Sequence, residues 1–181
     1  IIRGEGEATF NDICRSVINS EINITEIDGI TYRFNDDIFS TNPRRPISLD
    51  ELDFVYENLD DYENKIIYYE TQRGCPYNCQ YCLSSVEKGV RFLSEDRVKS
   101  DLEFFLKNNV KQVKFVDRTF NLKKERYMEI WKFLLENYRE GITFHFEINA
   151  NIFDDETLDF LETVPKGYFQ FEIGVQSINS D

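Results

Sequence analysis

Thr71-Gln72-Arg73-Gly74-Cys75-Pro76-Tyr77-Asn78-Cys79-Gln80-Tyr81-Cys82 holds three of the chain's four cysteines, at the spacing C-x3-C-x2-C. Three thiolates this close in sequence can converge on one metal centre. The count is informative. A closed structural zinc site takes four ligands, and a cubane iron–sulfur cluster normally takes four cysteines. Three cysteines leave one metal position for another ligand, which is what a reactive centre needs. The apolar run Ile66-Ile67-Tyr68-Tyr69 leads into the loop.

Downstream of this loop a repeating order emerges. Residues 65–71 read as a strand, and a helix follows over about 94–108. Ser94 is its candidate cap, Glu95 and Asp96 suit its first turn, and Val98, Leu102, Phe105 and Leu106 form its apolar face. A second strand runs from Gln112 to Asp117. The next helix is expected over about 122–138, with Met128, Trp131, Leu134, Leu135 and Tyr138 on one side. A third strand spans Ile142 to Asn149. A short helix then starts near Asp154 or Asp155, uses Leu158 and Leu161, and stops before Pro165. Tyr168 to Gln176 reads as the fourth strand. Strands alternating with helices imply an α/β fold with parallel βα units and right-handed crossovers. The fourth strand ends the series with an open edge, which invites pairing with another chain.

Alternation along the strands separates two faces. In Phe144-His145-Phe146-Glu147-Ile148-Asn149 the apolar residues share one face, and His145, Glu147 and Asn149 share the other. In the fourth strand Phe169, Phe171, Ile173 and Val175 oppose Gln170, Glu172, Gly174 and Gln176. Inward carboxylates are costly unless used or paired, so the polar faces point to a solvated or ligand-filled interior. In parallel βα sheets active groups gather at the C-terminal ends of strands. The cysteine loop, Asp117, Glu147, Asn149 and Gln176 all fall there.

Upstream, Ile1 to Glu7 reads as a short strand and a turn. Thr9 with Asp12 suggests a helix start, followed by an apolar face of Phe10, Ile13, Cys14 and Val17. Cys14 reads as a buried small hydrophobe. Residues 22–40 read as short strands with turns at Asp28-Gly29 and Asn35-Asp36-Asp37. Pro43-Arg44-Arg45-Pro46 is a linker signal with solvated arginines, and Ser48 with Glu51 is a capping box.

The totals describe a globular chain of 181 residues, 41% hydrophobic and 30% charged. With 21 basic and 34 acidic residues the net charge is −13. That argues against a nucleic-acid partner, because phosphate binding draws on Lys and Arg. No apolar run approaches the roughly 18 residues of a membrane span. Clustered cysteines with one distant Cys14 are no disulfide framework, so a reducing cytoplasm is expected.

The cysteine spacing with Tyr81 ahead of Cys82, the wording Arg73-Gly74-Cys75-Pro76, and Phe171-Glu172-Ile173-Gly174-Val175-Gln176-Ser177 together resemble the radical S-adenosylmethionine (radical SAM) superfamily. The closest likeness is to its branch with an N-terminal cobalamin-binding domain. The resemblance implies an incomplete part of a partial (βα)6 barrel, four of six βα units, preceded by a small α+β linker region. It implies an enzyme in which Cys75, Cys79 and Cys82 hold a [4Fe-4S] cluster. That cluster cleaves S-adenosylmethionine (SAM) reductively to begin radical chemistry on a small-molecule or unknown substrate. An electron donor such as flavodoxin or ferredoxin is implied, and cobalamin in the full-length protein. Tyr81 is expected near the adenine, Glu147 against SAM, and Gln176 at the ribose. Where the family usually has a Gly-Gly-Glu-like element for the SAM amino group, this chain reads Val116-Asp117-Arg118-Thr119. Asp117 either serves that ammonium or caps the following turn. By the same likeness, residues 1–20 are the tail of an upstream cobalamin-type domain plus a helix, 21–62 a linker with short strands, and 63–181 the first part of the radical SAM core. The chain then reads as a fragment of a longer protein. The residues alone leave open a second reading, a non-catalytic zinc or iron–sulfur module.

Overall fold

The computed structural model describes residues 1–19, 23–83, 89–175 and 177–178. They divide into two compact units, Ile1–Leu52 and Asp53–Asp181.

The first unit carries helix α1 (Glu7–Asn19) and an antiparallel hairpin, β1 (Thr31–Phe34) with β2 (Asp37–Ser40). Asn35 turns the hairpin at φ 52°, a left-handed position that asparagine tolerates. The helix begins three residues earlier than the Thr9–Asp12 pattern implies. Thr9 is fully buried and donates to the Asp28 carbonyl at 3.2 Å instead of capping. The expected apolar face is not buried either: Phe10 and Val17 are exposed and Cys14 is half-exposed. Arg44 is not simply solvated; it pairs with Asp12 and donates to the Asp28 carbonyl at 3.4 Å.

The second unit is built on βα repeats. Strand β3 (Ile67–Tyr69) is followed by a two-stranded antiparallel ribbon, β4 (Gln72–Gly74) with β5 (Val90–Phe92). Helix α2 (Glu95–Lys107), strand β6 (Gln112–Phe115), helix α3 (Lys124–Glu136), strand β7 (Thr143–Ile148), helix α4 (Asp155–Glu162) and strand β8 (Phe169–Ile173) complete it. The four-stranded sheet has the order β3-β6-β7-β8, and every pair in it is parallel. The sequence signals of these units place each element well. The expected helix over 122–138 is shorter at both ends, and its buried face includes Tyr127 and Ile130 in place of Leu135 and Tyr138. Leu158 of α4 is half-exposed. Residues 53–62, expected with the linker, belong to this unit: Phe54 and Tyr56 pack on Phe105 of α2, with ring centroids 5.6 and 5.7 Å away.

The core is a sandwich of rings. Val113, Phe115, Phe144 and Phe146 lie on one face of the sheet with no exposed surface. Trp131 of α3 is equally buried and sits at its centre, 5.7 Å from Phe146 and 5.6 Å from both Phe169 and Phe171. Phe120, between β6 and α3, closes the layer 4.5 Å from Phe146. Burial of rings contributes both area and favourable edge-to-face contacts. This layer fixes one side of the sheet, so the polar residues of the same strands must face the other way. Among the described residues β8 pairs only with β7. Ile173, Val175 and Ile178, at and beyond its end, are exposed. No described helix is long and apolar enough to cross a membrane.

Candidate metal centre

The chain leaves the parallel sheet at Tyr69 and reaches the first cysteine six residues later. In that interval Thr71 has every polar atom engaged. Its N–H donates to Asp117 Oδ1 at 2.7 Å and its hydroxyl to Asp117 Oδ2. Its carbonyl accepts from Leu93 N at 2.9 Å and from the Arg126 guanidinium at 3.2 Å. Gln72 follows the same pattern, with its N–H on Asp117 Oδ1 at 3.0 Å and its side-chain amide on the Thr119 carbonyl at 2.6 Å. Thr71, Gln72, Asp117, Thr119 and Arg126 are all buried.

The structure places Asp117 against the segment before the cysteine loop. It has no exposed surface, and both carboxylate oxygens are taken by the chain's own donors. In this structure it faces the chain's own donors and secures the segment before the cysteine loop. Burial pushes its acid constant up to about 7, against the opposing pull of the bonds from Thr71 and Gln72.

Between Gln72 and Cys75 the backbone is constrained again. Gly74 pairs with Val90 at φ +103°, and a Cβ there would lie 2.2 Å from the Gly89 carbonyl oxygen. Only glycine fits that approach. Arg73 makes a forked contact to Glu70, with Nε 3.1 Å from both carboxylate oxygens and a terminal nitrogen 2.6 Å from one of them. The ribbon that produces this geometry was not expected from sequence.

Cys75 and Cys79 are half-buried, Cys82 is exposed, and no disulfide engages any of the chain's cysteines. Cys82 N–H donates to the Cys79 carbonyl at 3.0 Å, so these two share one turn. Tyr77, between the first two cysteines, accepts from Asn149 Nδ2 at 2.7 Å. Asn149 is itself held just past β7: its N–H and carbonyl bond the buried Asn121 at 2.9 and 2.8 Å. The loop thus reaches across to the C-terminal end of β7, where the strand pattern places reactive groups. Among the described residues no three His, Cys, Asp or Glu side chains are already gathered as a metal site. The donor set nonetheless fits a metal cluster: three thiols outside any disulfide, in one solvent-accessible loop anchored beside the sheet.

The polar face of the sheet is paired rather than vacant. Lys114 Nζ lies 3.0 Å from Glu172 and 3.9 Å from Glu147, and His145 Nε2 lies 3.4 Å from Glu172. The bond to Glu172 raises the Lys114 acid constant and lowers that of Glu172. Glu147 is thereby joined to a neighbouring strand's lysine. Tyr81 is 80% exposed. Gln176 lies outside the described residues. Sequence reasoning missed Thr71, Gln72, Tyr77, Asn121 and Arg126, whose partners are 28 to 72 positions away.

Residues 69–181 match the family model of the radical SAM superfamily. An uncharacterized methyltransferase of Pyrococcus horikoshii is 31% identical over 140 residues, covering 72% of this chain and 30% of that protein. The cobalamin-dependent radical SAM methyltransferase TokK of Streptomyces tokunonensis is 24% identical over 137 residues, covering 67% and 20%. Among solved structures, the radical SAM methyltransferase TsrM of Kitasatospora setae, with cobalamin and a [4Fe-4S] cluster bound, shares the fold at a TM-score of 0.70 and 14% identity, over 96% of this chain and 37% of that one. The chain spans less than two-fifths of each of these proteins.

Proposed function

The chain belongs to the radical SAM superfamily, and from that membership we propose that Cys75, Cys79 and Cys82 hold a [4Fe-4S] cluster with one iron open to SAM. The carrying observation is the cysteine loop itself, which leaves β3 through a buried anchor and is tied at Tyr77 to the end of β7. When bound, the cluster supplies the electron that cleaves SAM to methionine and a 5′-deoxyadenosyl radical. The chain's own residues place that chemistry. The three thiolates hold the metal, Tyr81 lies near the adenine, and Glu147 faces SAM from the polar side of β7 once it exchanges Lys114 for the ammonium. Gln176 is proposed at the ribose. The apolar layer behind the sheet keeps the opposite face dry.

In the longer protein we propose cobalamin-dependent methyl transfer to a small molecule, because two relatives are described as methyltransferases and one of them as cobalamin-dependent. A flavodoxin or ferredoxin in the cytoplasm would provide the electron. Anaerobic reconstitution followed by EPR of the reduced protein, with and without SAM, tests the reading. A [4Fe-4S] signal that changes with SAM supports it; zinc uptake, or a cluster indifferent to SAM, sinks it. Cys79→Ala should lose the cluster, and full iron and sulfide in that variant would remove the assignment.

The open edge of β8 is proposed to pair with a second copy when this chain is examined alone. Light scattering from a dispersed monomer would count against that.

A further inference from the structure

We propose that Asp117 is a positioning residue for the metal centre: it fixes Thr71 and Gln72, and through them the point at which Cys75 enters the loop. The inference rests on reading the three cysteines as a metal site. It goes beyond that reading by assigning their placement to a residue far away in sequence.

The sheet explains why a carboxylate is needed there. The β3–β6 ladder ends at the pair Tyr69 and Phe115, followed by one more bond from Val116 N to the Tyr69 carbonyl. Beyond it the chain turns into β4, and the N–H groups of Thr71 and Gln72 have left the parallel ladder. Buried N–H groups must find acceptors. Asp117 supplies them, one oxygen taking both N–H groups and the other the Thr71 hydroxyl. The carboxylate stands where the next strand's carbonyls would be. Arg126 and Leu93 close on the Thr71 carbonyl from the other side, so the residue cannot rotate without breaking several bonds.

Cys75 lies only three positions beyond Gln72, the end of the anchor. A chain that short reaches at most about 10 Å, and here Gly74 is further pinned against Gly89. Displacement at Thr71 must therefore be passed to the first cysteine. Among the described residues Asp117 makes its hydrogen bonds to this segment alone, not to the ring core behind the sheet. Its loss should move the loop while leaving the sheet in place.

The test uses the full chain without its cluster, with Co(II) as the probe of thiolate convergence and amide hydrogen exchange as the probe of the anchor. Asp117→Asn keeps one acceptor oxygen and sets an amide donor in place of the other, so either the Thr71 hydroxyl must turn from donor to acceptor or the two N–H groups lose their acceptor. It should speed exchange at Thr71 and Gln72 at least tenfold and weaken Co(II) binding at least tenfold. Protection of Val113 and Phe144 should persist. Thr71→Ser, which keeps the hydroxyl, should bind Co(II) as the parent does; Thr71→Val should bind it severalfold more weakly. Parental Co(II) affinity in Asp117→Asn with an intact sheet overturns the proposal, as does equal loss in Thr71→Ser. If Asp117→Asn also loses sheet protection, Thr71→Val decides, and affinity within twofold of the parent overturns it. A parent that binds Co(II) through its thiols but never forms a SAM-responsive cluster would sink the enzymatic reading and leave this positioning role standing. A parent whose thiols take no Co(II) removes both.

Discussion

Replacing Gly74 with alanine should disable the cysteine loop at its first residue. The backbone there has φ +103°, and the added Cβ would sit 2.2 Å from the Gly89 carbonyl oxygen. Real contacts of that kind stay beyond about 3.0 Å, so backbone must retreat by roughly 3.0 − 2.2 = 0.8 Å. The obstacle is main chain, and no side chain can swing aside to relieve it. Strain at such a φ costs on the order of 1–3 kcal/mol for a non-glycine residue. Weakening the Gly74–Val90 pairing adds about 1 kcal/mol for a lost hydrogen bond. The total, about 2–4 kcal/mol, falls on a two-stranded ribbon outside the four-stranded sheet. Two-stranded ribbons are marginal by themselves, so the ribbon should open before the core does. Iron content after reconstitution should drop below half of the parent's, while far-UV circular dichroism stays close to it. Parental iron content together with a parental SAM-dependent EPR change would refute this reasoning.

Trp131→Ala should destabilise the second unit by about 3–5 kcal/mol, the usual cost of emptying a large buried aromatic site. Trp131 has no exposed surface and contacts rings from β7 and β8; a loss under 1 kcal/mol in urea titration would mean it is not the keystone. Asp117 carries a pH signature. Its acid constant rises from 3.8 to about 7 on folding, so between those values the folded chain keeps a proton that the unfolded chain releases. Stability should therefore fall as pH rises from about 4 to about 7, then level off. Between pH 5 and 8 this amounts to about 3 kcal/mol, at 1.36 kcal/mol per pH unit. Asp117→Asn should flatten that slope, and identical slopes in parent and variant would contradict the burial argument. Tyr77→Phe removes the bond to Asn149. It should cost about 0.5–1.5 kcal/mol locally, read as faster alkylation of Cys79 with unchanged protection of β7; an unchanged alkylation rate would argue against the tie.

The βα order, the sheet and its two faces were legible because they are written in short-range periodicity. Val98, Leu102, Phe105 and Leu106 recur at helical spacing and are all buried in α2. Phe144, Phe146 and Ile148 alternate with polar residues and are buried in β7. The cysteine triplet is equally local, a spacing within a few residues, and the metal site it suggests is the proposal that reconstitution tests. Where local pattern and tertiary packing disagreed, packing prevailed. Thr9 has the composition of a cap, yet the Asp28 carbonyl draws it inward. Phe10 and Val17 have helical spacing, yet remain exposed.

The anchor of the loop belongs to a different class of information. Asp117 was visible as a carboxylate at a strand end, and a carboxylate at a strand end suggests a ligand. Its actual partners lie 45 and 46 positions upstream, and two of the three bonds are to main-chain N–H groups that leave no mark on side-chain identity. Thr71 alone could have hinted at the contact, and a threonine after a strand is commonplace. The same holds for Tyr77 with Asn149, 72 positions apart. A metal-binding motif states which atoms bind. What ties the loop that carries those atoms is a set of single long-range bonds, and these become readable only once the sheet has set β3, β6 and β7 side by side. In this chain the thiols are specified locally and their placement non-locally, so substitutions at Asp117 and Asn149 should disturb metal binding without touching a cysteine.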